Sequence, residues 1–204
     1  MASPVSHIIY AKKYLEKHPL HNSDEEMFFL GCVFPDIRRV ADGLKRKDTH
    51  WKFDPIDLDF QGLSPFESGW KFHTYCDMKR EEILNKYNFY SLAETTAFGH
   101  EPGKLLEDEL IYSSYNNWEK IINYFNNPAT VEIDLDVPCE TFDLWYAMLA
   151  KYFKEKPSNT SMSALMSKQG SLANEAKDII KSLDRLRKNK KAVEILLKVK
   201  EEII

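Results

Sequence analysis

A histidine and an aspartate lie four residues apart at the end of the stretch from Ser64 to Asp77. The stretch carries the start signals of a helix, because Ser64 and Glu67 have the spacing of a capping box and Pro65 suits the first helical position. In a helix, His73 and Asp77 would lie one turn apart on the same face, close enough to bind one cation. The alternative is a buried histidine that hydrogen-bonds a neighbouring acid, and this stretch alone does not distinguish the two.

Two upstream segments place further potential ligands beside bulky apolar residues. Asp36 follows a Phe-Pro pair, and His50 precedes Trp51. Burying a polar group without a partner costs roughly 1–3 kcal/mol, so residues in such surroundings need a hydrogen-bonding partner or a metal. A mixed set of nitrogen and oxygen ligands suits zinc, or iron or manganese at higher coordination number. The predicted set is Asp36, His50, His73 and Asp77.

Some of these residues could have a role other than metal binding. Asp36 is closely followed by Arg38 and Arg39, which could form plain salt bridges with it. His50 lies within the polar stretch 41–63, which contains glycines and a proline and is predicted to be a loop. Trp51, like Trp70 and Tyr75, could line a substrate pocket, although a structural role is the more common one for each.

Three short segments, taken in order, resemble the bacterial zinc-dependent phospholipase C family and its small relatives. They are residues 28–37 (FFLGCVFPDI), 49–51 (THW) and 69–77 (GWKFHTYCD). The similarity extends over about the first 110 residues. It implies an all-helical fold shared with the fungal single-strand nucleases, with the metal site between helices. It also implies that His7 is a metal ligand and that Asp77 bridges two ions.

The chain departs from the three-metal members of that family after Asp77. Residues 78–87 contain no histidine, and His100 is followed four positions later by Lys104 instead of a glutamate. We therefore expect one or two ions, with zinc as the first choice.

Three consecutive acids at 107–109 are candidates for a further metal ligand later in the sequence. Acids near the start of a helix commonly complement the positive end of its dipole. Leucine and isoleucine residues surround this run, however, so at least one acid is predicted to face inward. The resemblance implies a carboxylate ligand here, which leaves Asp108 or Glu109 as the candidate.

Composition favours a single all-α domain over residues 1–204. Apolar residues make up 43% of the chain, which is enough for a substantial core, and seven glycines with helical periodicity throughout leave little room for strands. We expect a metal-site core over about residues 1–126 and C-terminal helices over 136–204. The three cysteines are widely spaced and form no Cys-x-x-Cys motif, so a disulfide framework is not expected.

The charge distribution bears on compartment and partners. Lysines at 12, 13 and 17 and the lack of a long apolar run predict neither a signal peptide nor a membrane span, and a reducing cytoplasmic environment fits the cysteines. Residues 177–200 carry nine basic side chains against three acids, with no interleaved aromatics. This pattern favours a solvated helix face over a nucleic-acid patch. A nucleic-acid polymer is therefore not the expected partner, and the resemblance to the phospholipase C family implies a small phosphate-ester substrate instead.

The favoured function is that of a metal-dependent phosphoesterase in which bound water is the nucleophile. Asp36 and Asp77 are the candidate catalytic carboxylates. A histidine–aspartate phosphohydrolase ranks lower because those enzymes need an adjacent His-Asp pair and His73 is followed by Thr74. A non-catalytic protein with a structural metal is the remaining alternative.

Overall fold

Ten α-helices follow one another along the part of the chain that the computed structural model describes, residues 2–50 and 52–204. They are α1 (Pro4–Leu15), α2 (Asn22–Val33), α3 (Arg46–His50), α4 (Pro65–Lys86), α5 (Glu101–Ile111), α6 (Trp118–Asn126), α7 (Cys139–Tyr152), α8 (Asn159–Met166), α9 (Gly170–Leu186) and α10 (Lys190–Glu202). Short 3-10 helices lie at Phe34–Arg39, Phe89–Ser91, Ala97–His100 and Tyr112–Ser114. No strand occurs among the described residues, so the predicted all-α class is confirmed.

The longest helix, α4, begins at the capping box that the sequence predicts. The Ser64 hydroxyl accepts a hydrogen bond from the Glu67 backbone N–H at 3.3 Å, and the Glu67 carboxylate accepts one from the Ser64 N–H at 3.0 Å. Two backbone donors that helix formation would leave unpaired are thereby satisfied. The cap fixes where α4 starts and therefore which residues face the interior along its length.

The backbones of helices α2 and α4 come into direct contact where the helices cross, because each helix has a glycine at that point. A β-carbon on Gly31 would collide with the carbonyl oxygen of Phe66, and one on Gly69 would collide with that of Phe28. Only glycine permits so close an approach of two backbones. The backbone of α2 thus occupies the space beside Gly69. The crossing brings the end of α2 beside the middle of α4.

The C-terminal helices pack against the N-terminal part of the chain. Helix α9 packs on α5 and on α8, while α10 packs on α4 and α5. Most apolar side chains of the helices belong to one continuous core, to which the polar helix α3 contributes none. Among the described residues, no helix combines the length and the apolar character needed to cross a membrane.

Several basic side chains in the region 177–200 contact acids at the surface. Arg185 pairs with Glu94 at 2.7 Å, and Lys198 pairs with Glu194 at 3.0 Å. Exposed pairs of this kind contribute at most about 1 kcal/mol each.

Candidate metal centre

Five buried polar side chains from four elements meet at the crossing of α2 and α4. We call them the ligand cluster: His7, Asp36, His50, His73 and Asp77. His7 comes from α1, Asp36 from the Phe34–Arg39 3-10 helix, His50 from the end of α3, and the other two from α4. None has more than 5% of its surface exposed. The structure thus brings together all the histidines and the two aspartates that the sequence singles out as first ligands.

His50 and His73 point the same ring nitrogen toward a common centre. Their Nε2 atoms lie 3.4 Å apart, and they lie 3.7 and 3.8 Å from Oδ2 of Asp77. Asp36 Oδ1 is 3.8 Å from Nε2 of His50. Ligand atoms at about 2.0–2.1 Å from a tetrahedral zinc ion lie about 3.3 Å apart. The observed separations are slightly wider than this spacing, and closer to it than to the 2.7–3.2 Å of a protein hydrogen bond.

His7 contributes to a second group that shares members with the first. Its Nε2 lies 3.5 Å from Oδ1 of Asp77, and its ring stacks on that of His73 at 3.8 Å between centroids. Neither ring nitrogen of His7 has a hydrogen-bond partner, although the residue is 99% buried. Asp77 therefore faces His7 with Oδ1, which also accepts the Ala2 backbone N–H at 2.7 Å, and faces His50 and His73 with Oδ2. Its two oxygens thus belong to two different groups of histidines.

Backbone and hydroxyl groups behind the cluster fix the tautomers of two histidines. His73 Nδ1 donates to the carbonyl oxygen of Cys32 at 2.8 Å. His50 Nδ1 donates to the Thr49 hydroxyl at 2.9 Å, because that hydroxyl uses its own proton on the Pro35 carbonyl oxygen. In both rings Nε2 is then left with a lone pair directed at the centre. Such support behind a ligand is typical of metal-binding histidines.

Burial and charge set the protonation states that a metal site needs. Burial lowers the pKa of His50 to about 4, and burial together with His7 lowers the pKa of His73 well below its ordinary value. Burial alone would raise the pKa of Asp36, but Arg39 and neighbouring groups hold it well below its usual range. The pKa of Asp77 is likewise held low despite burial. At neutral pH these are two neutral imidazoles and two carboxylates, which are the ligand forms of both residue types.

Three arginines contact the carboxylates of the cluster from outside. Arg38 Nη2 and Arg39 Nε lie 3.2 and 3.4 Å from Oδ1 of Asp36. Arg46 Nη2 lies 3.5 Å from Oδ2 of Asp77. The salt bridges considered as an alternative for Asp36 therefore exist, and they involve the same oxygen that faces His50.

The two candidate late ligands do not join the cluster. Asp108 accepts hydrogen bonds at 2.8 Å from both the backbone N–H and the hydroxyl of Ser6, at the start of α1. Glu109 contacts Arg187 at 2.6 Å, near the surface. The expectation that Asp108 or Glu109 supplies a ligand is thus corrected. Glu107 and Asp108 are buried, as predicted for at least one acid of the run, but Asp108 faces the start of α1.

Sequence reasoning missed a buried polar network next to the ligand cluster. Arg80 Nε donates to Oε2 of Glu107 at 2.6 Å, and the Tyr10 hydroxyl donates to the other oxygen of Glu107. All three are at least 99% buried. We call them the lower network. Tyr10 follows His7 by three residues and Arg80 follows Asp77 by three, so the helical spacing could have revealed a second polar layer.

A cavity of about 440 Å³ reaches the cluster from one side. His50 and Asp77 line its inner part together with Arg46, and further residues of α4 complete the wall. Trp70 is fully buried and donates its indole N–H to the Thr49 carbonyl oxygen, so it supports α3. Trp51 lies outside the described residues. The loop predicted around His50 contains the short helix α3, which places Arg46 and His50 one turn apart.

Comparison of the chain with models of protein families, with curated proteins and with solved structures gives no match.

Proposed function

We propose that the protein is a metal-dependent hydrolase of phosphate esters, with one or two zinc, iron or manganese ions in the ligand cluster. The observation that carries the proposal is His7. Its two nitrogens are buried without a hydrogen-bond partner, one of them 3.5 Å from Oδ1 of Asp77. Leaving polar atoms in this condition costs roughly 1–3 kcal/mol, which a bound cation would offset. The resemblance to the zinc-dependent phospholipase C family supports the same site.

The donors divide into two overlapping groups, each of which could hold one ion. One comprises His7, His73 and Asp77, and the other Asp36, His50 and His73. Since His73 presents a single free nitrogen, a two-ion site would use it in one group and the bridging carboxylate of Asp77 between them. Three protein ligands leave a position for water or substrate, as in catalytic zinc sites.

The residues around the cluster fit hydrolysis of an anionic ester. A bound cation would lower the pKa of a water ligand toward neutrality and polarise a phosphoryl oxygen. Asp36 and Asp77 are ionised at neutral pH, which is the form in which a carboxylate binds a cation. Arg38, Arg39 and Arg46 place positive charge beside both carboxylates, which favours phosphate over a neutral amide or carboxylic ester.

Metal content and turnover of the purified protein test the proposal together. We expect one or two ions per chain and cation-dependent hydrolysis of p-nitrophenyl phosphate or bis(p-nitrophenyl) phosphate with zinc, manganese or iron. His73→Ala should lose both metal and turnover while keeping its helical circular dichroism. His21→Ala, an exposed histidine outside the cluster, is the matched control and should keep both.

Two further variants separate the roles of the ligands. Asp77→Asn should reduce metal content more than His7→Ala, because a bridging carboxylate contributes charge to two ions and His7 serves only one group. Equal metal content in the two variants would contradict the bridging role. Metal binding without turnover in any combination of ester and cation would favour a structural metal over an enzyme.

A further inference from the structure

Arg46 is the arginine that connects the ligand cluster with the cavity. It lies one turn before His50 on α3, and both side chains line the cavity together with Asp77. Its Nη2 is 3.5 Å from Oδ2 of Asp77, the oxygen that faces His50 and His73. The side chain is 37% exposed, so the guanidinium is accessible from the cavity. A ligand in this cavity could therefore contact Arg46 and the ligand cluster together.

A divalent ion in the ligand cluster would make the adjoining end of the cavity positive. Asp36 and Asp77 already face three guanidinium groups, of which that of Arg46 lines the cavity. Each divalent ion would add two further positive charges. Such a site attracts an anion, and a dianion more strongly than a monoanion. A planar guanidinium also matches two oxygens of one phosphoryl group.

Two further carboxylates line the same cavity. Glu81 and Glu82 follow Asp77 by about one turn of α4 and line the cavity with Asn85, and Glu82 pairs with Lys79 at 3.0 Å. The Glu81 carboxylate accepts hydrogen bonds from Tyr90 at 2.6 Å and Asn85 at 3.4 Å, which hold it in place. A second phosphate on the substrate would therefore meet carboxylates, and like charges at close range repel.

We propose that Arg46 binds the non-bridging oxygens of a terminal phosphoryl group, and that the substrate is a small phosphomonoester whose remaining part carries no negative charge. The inference rests on the proposed function, since it names the substrate class of the same site. Arg46 is the specificity-determining residue for the phosphoryl group. Glu81 and Glu82 discriminate against nucleotides with several phosphates and against nucleic-acid strands.

Phosphate binding tests the role of Arg46 without any need for turnover. Titration calorimetry of the zinc-loaded protein with inorganic phosphate should give an affinity that Arg46→Gln weakens about tenfold to a hundredfold, the value of a hydrogen bond to a charged group. Arg46→Lys, which keeps the charge but not the paired donors, should fall between the two. Metal content should stay at the wild-type value in both variants. Arg185→Gln, on the surface beside Glu94, is the matched control and should bind phosphate like the wild type.

Ester and polyanion assays test the substrate class. The wild type should have a higher kcat/KM for p-nitrophenyl phosphate than for bis(p-nitrophenyl) phosphate, and Arg46→Gln should raise KM for the monoester. The double variant Glu81→Gln/Glu82→Gln should bind pyrophosphate more tightly than the wild type does, with little change for inorganic phosphate. Unchanged phosphate affinity in Arg46→Gln, a preference for the diester, or unaltered pyrophosphate binding in the double variant would overturn the inference. Arg46-dependent phosphate binding without hydrolysis of any ester would instead overturn the proposed function and leave the anion site in place.

Discussion

The ligand cluster and the lower network are two buried polar layers, three residues apart along α1 and α4. They differ in how their polar groups are paired. In the lower network, Arg80 and Tyr10 donate hydrogen bonds to the two oxygens of Glu107. In the ligand cluster, His7 has no hydrogen-bond partner, and the closest approach between facing ring nitrogens is 3.4 Å, between two acceptors. The lower network is complete as it stands. In the ligand cluster the carboxylates have donors, but the His7 nitrogens and the facing Nε2 atoms of His50 and His73 form an excess of acceptors that a cation would satisfy.

The comparison separates two reasons for burying polar groups. A hydrogen-bonded ion pair can hold helices in register, and in the lower network it joins α1, α4 and α5. In the ligand cluster, the two ring nitrogens of His7 have lost their water without gaining a hydrogen-bond partner, so they add no stability to the metal-free fold. The lower network therefore positions the two helices that carry His7 and Asp77. The ligand cluster is positioned by them.

Breaking the lower network should have the largest effect on stability. Glu107→Gln leaves the Arg80 guanidinium buried without its counter-charge, and disrupting a buried pair in this way typically costs about 3–5 kcal/mol. Urea unfolding of the metal-free protein measures the loss. Glu109→Gln is the matched control, since its partner Arg187 is 25% exposed and the pair should contribute no more than about 1 kcal/mol. A similar loss in both variants would show that the lower network is not the stronger element.

Asp108 is a buried carboxylate next to Glu107 that, among the described residues, has no basic partner. It therefore shows what burial does to an acid that no arginine neutralises. It accepts hydrogen bonds from the backbone N–H and hydroxyl of Ser6, from the Val5 N–H at 3.3 Å and from the Tyr152 hydroxyl at 3.3 Å. Burial nevertheless raises its pKa to about 7, and the charge of Glu107 adds to the rise. The folded state thus holds the Asp108 proton more tightly than the unfolded chain does.

The raised pKa of Asp108 predicts a dependence of stability on pH with a definite sign. The contribution of a group with a raised pKa is fully present below its unfolded value, 3.8, and is lost as pH rises toward about 7. Between pH 5 and pH 7 the loss is about 2 kcal/mol. Asp108→Asn cannot titrate, so its free energy of unfolding should fall by that much less over the same interval. Urea unfolding of both metal-free proteins at the two pH values checks this, and parallel pH profiles would contradict it.

The sequence was sufficient for features that depend on local spacing. The capping box at Ser64, the shared face of His73 and Asp77 and the all-α class follow from helical periodicity and end signals. Periodicity does not show how far a helix is rotated when it docks. Consecutive helical residues point about 100° apart, so the choice between Glu107, Asp108 and Glu109 was set by the packing of α5 on α1. The resemblance supported a ligand in this run, and packing assigned all three acids to other partners.

Helical periodicity and end signals do not predict which distant segments of the chain come into contact. The crossing of α2 and α4 depends on Gly31 and Gly69 meeting each other's helix, and either glycine alone looks like any small residue in a helix. The pair Arg80–Glu107 joins positions 27 residues apart. Charge complementarity over such a distance can be satisfied by many pairings, and only the three-dimensional packing selects one.

The smallest expected effect tests the difference between the layers most directly. His7→Leu replaces two buried nitrogens that lack hydrogen-bond partners by apolar atoms of similar volume, so in the metal-free protein it should change the free energy of unfolding by less than about 1 kcal/mol. Tyr10→Phe, three residues further along α1, removes a donor to the Glu107 carboxylate and should cost about 1.5–3 kcal/mol. In a zinc titration the order should reverse: His7→Leu should lose an ion and the stabilisation it brings, while Tyr10→Phe should keep both. If His7→Leu proves as costly as Tyr10→Phe without metal, His7 has a structural partner and the excess of acceptors in the ligand cluster does not exist.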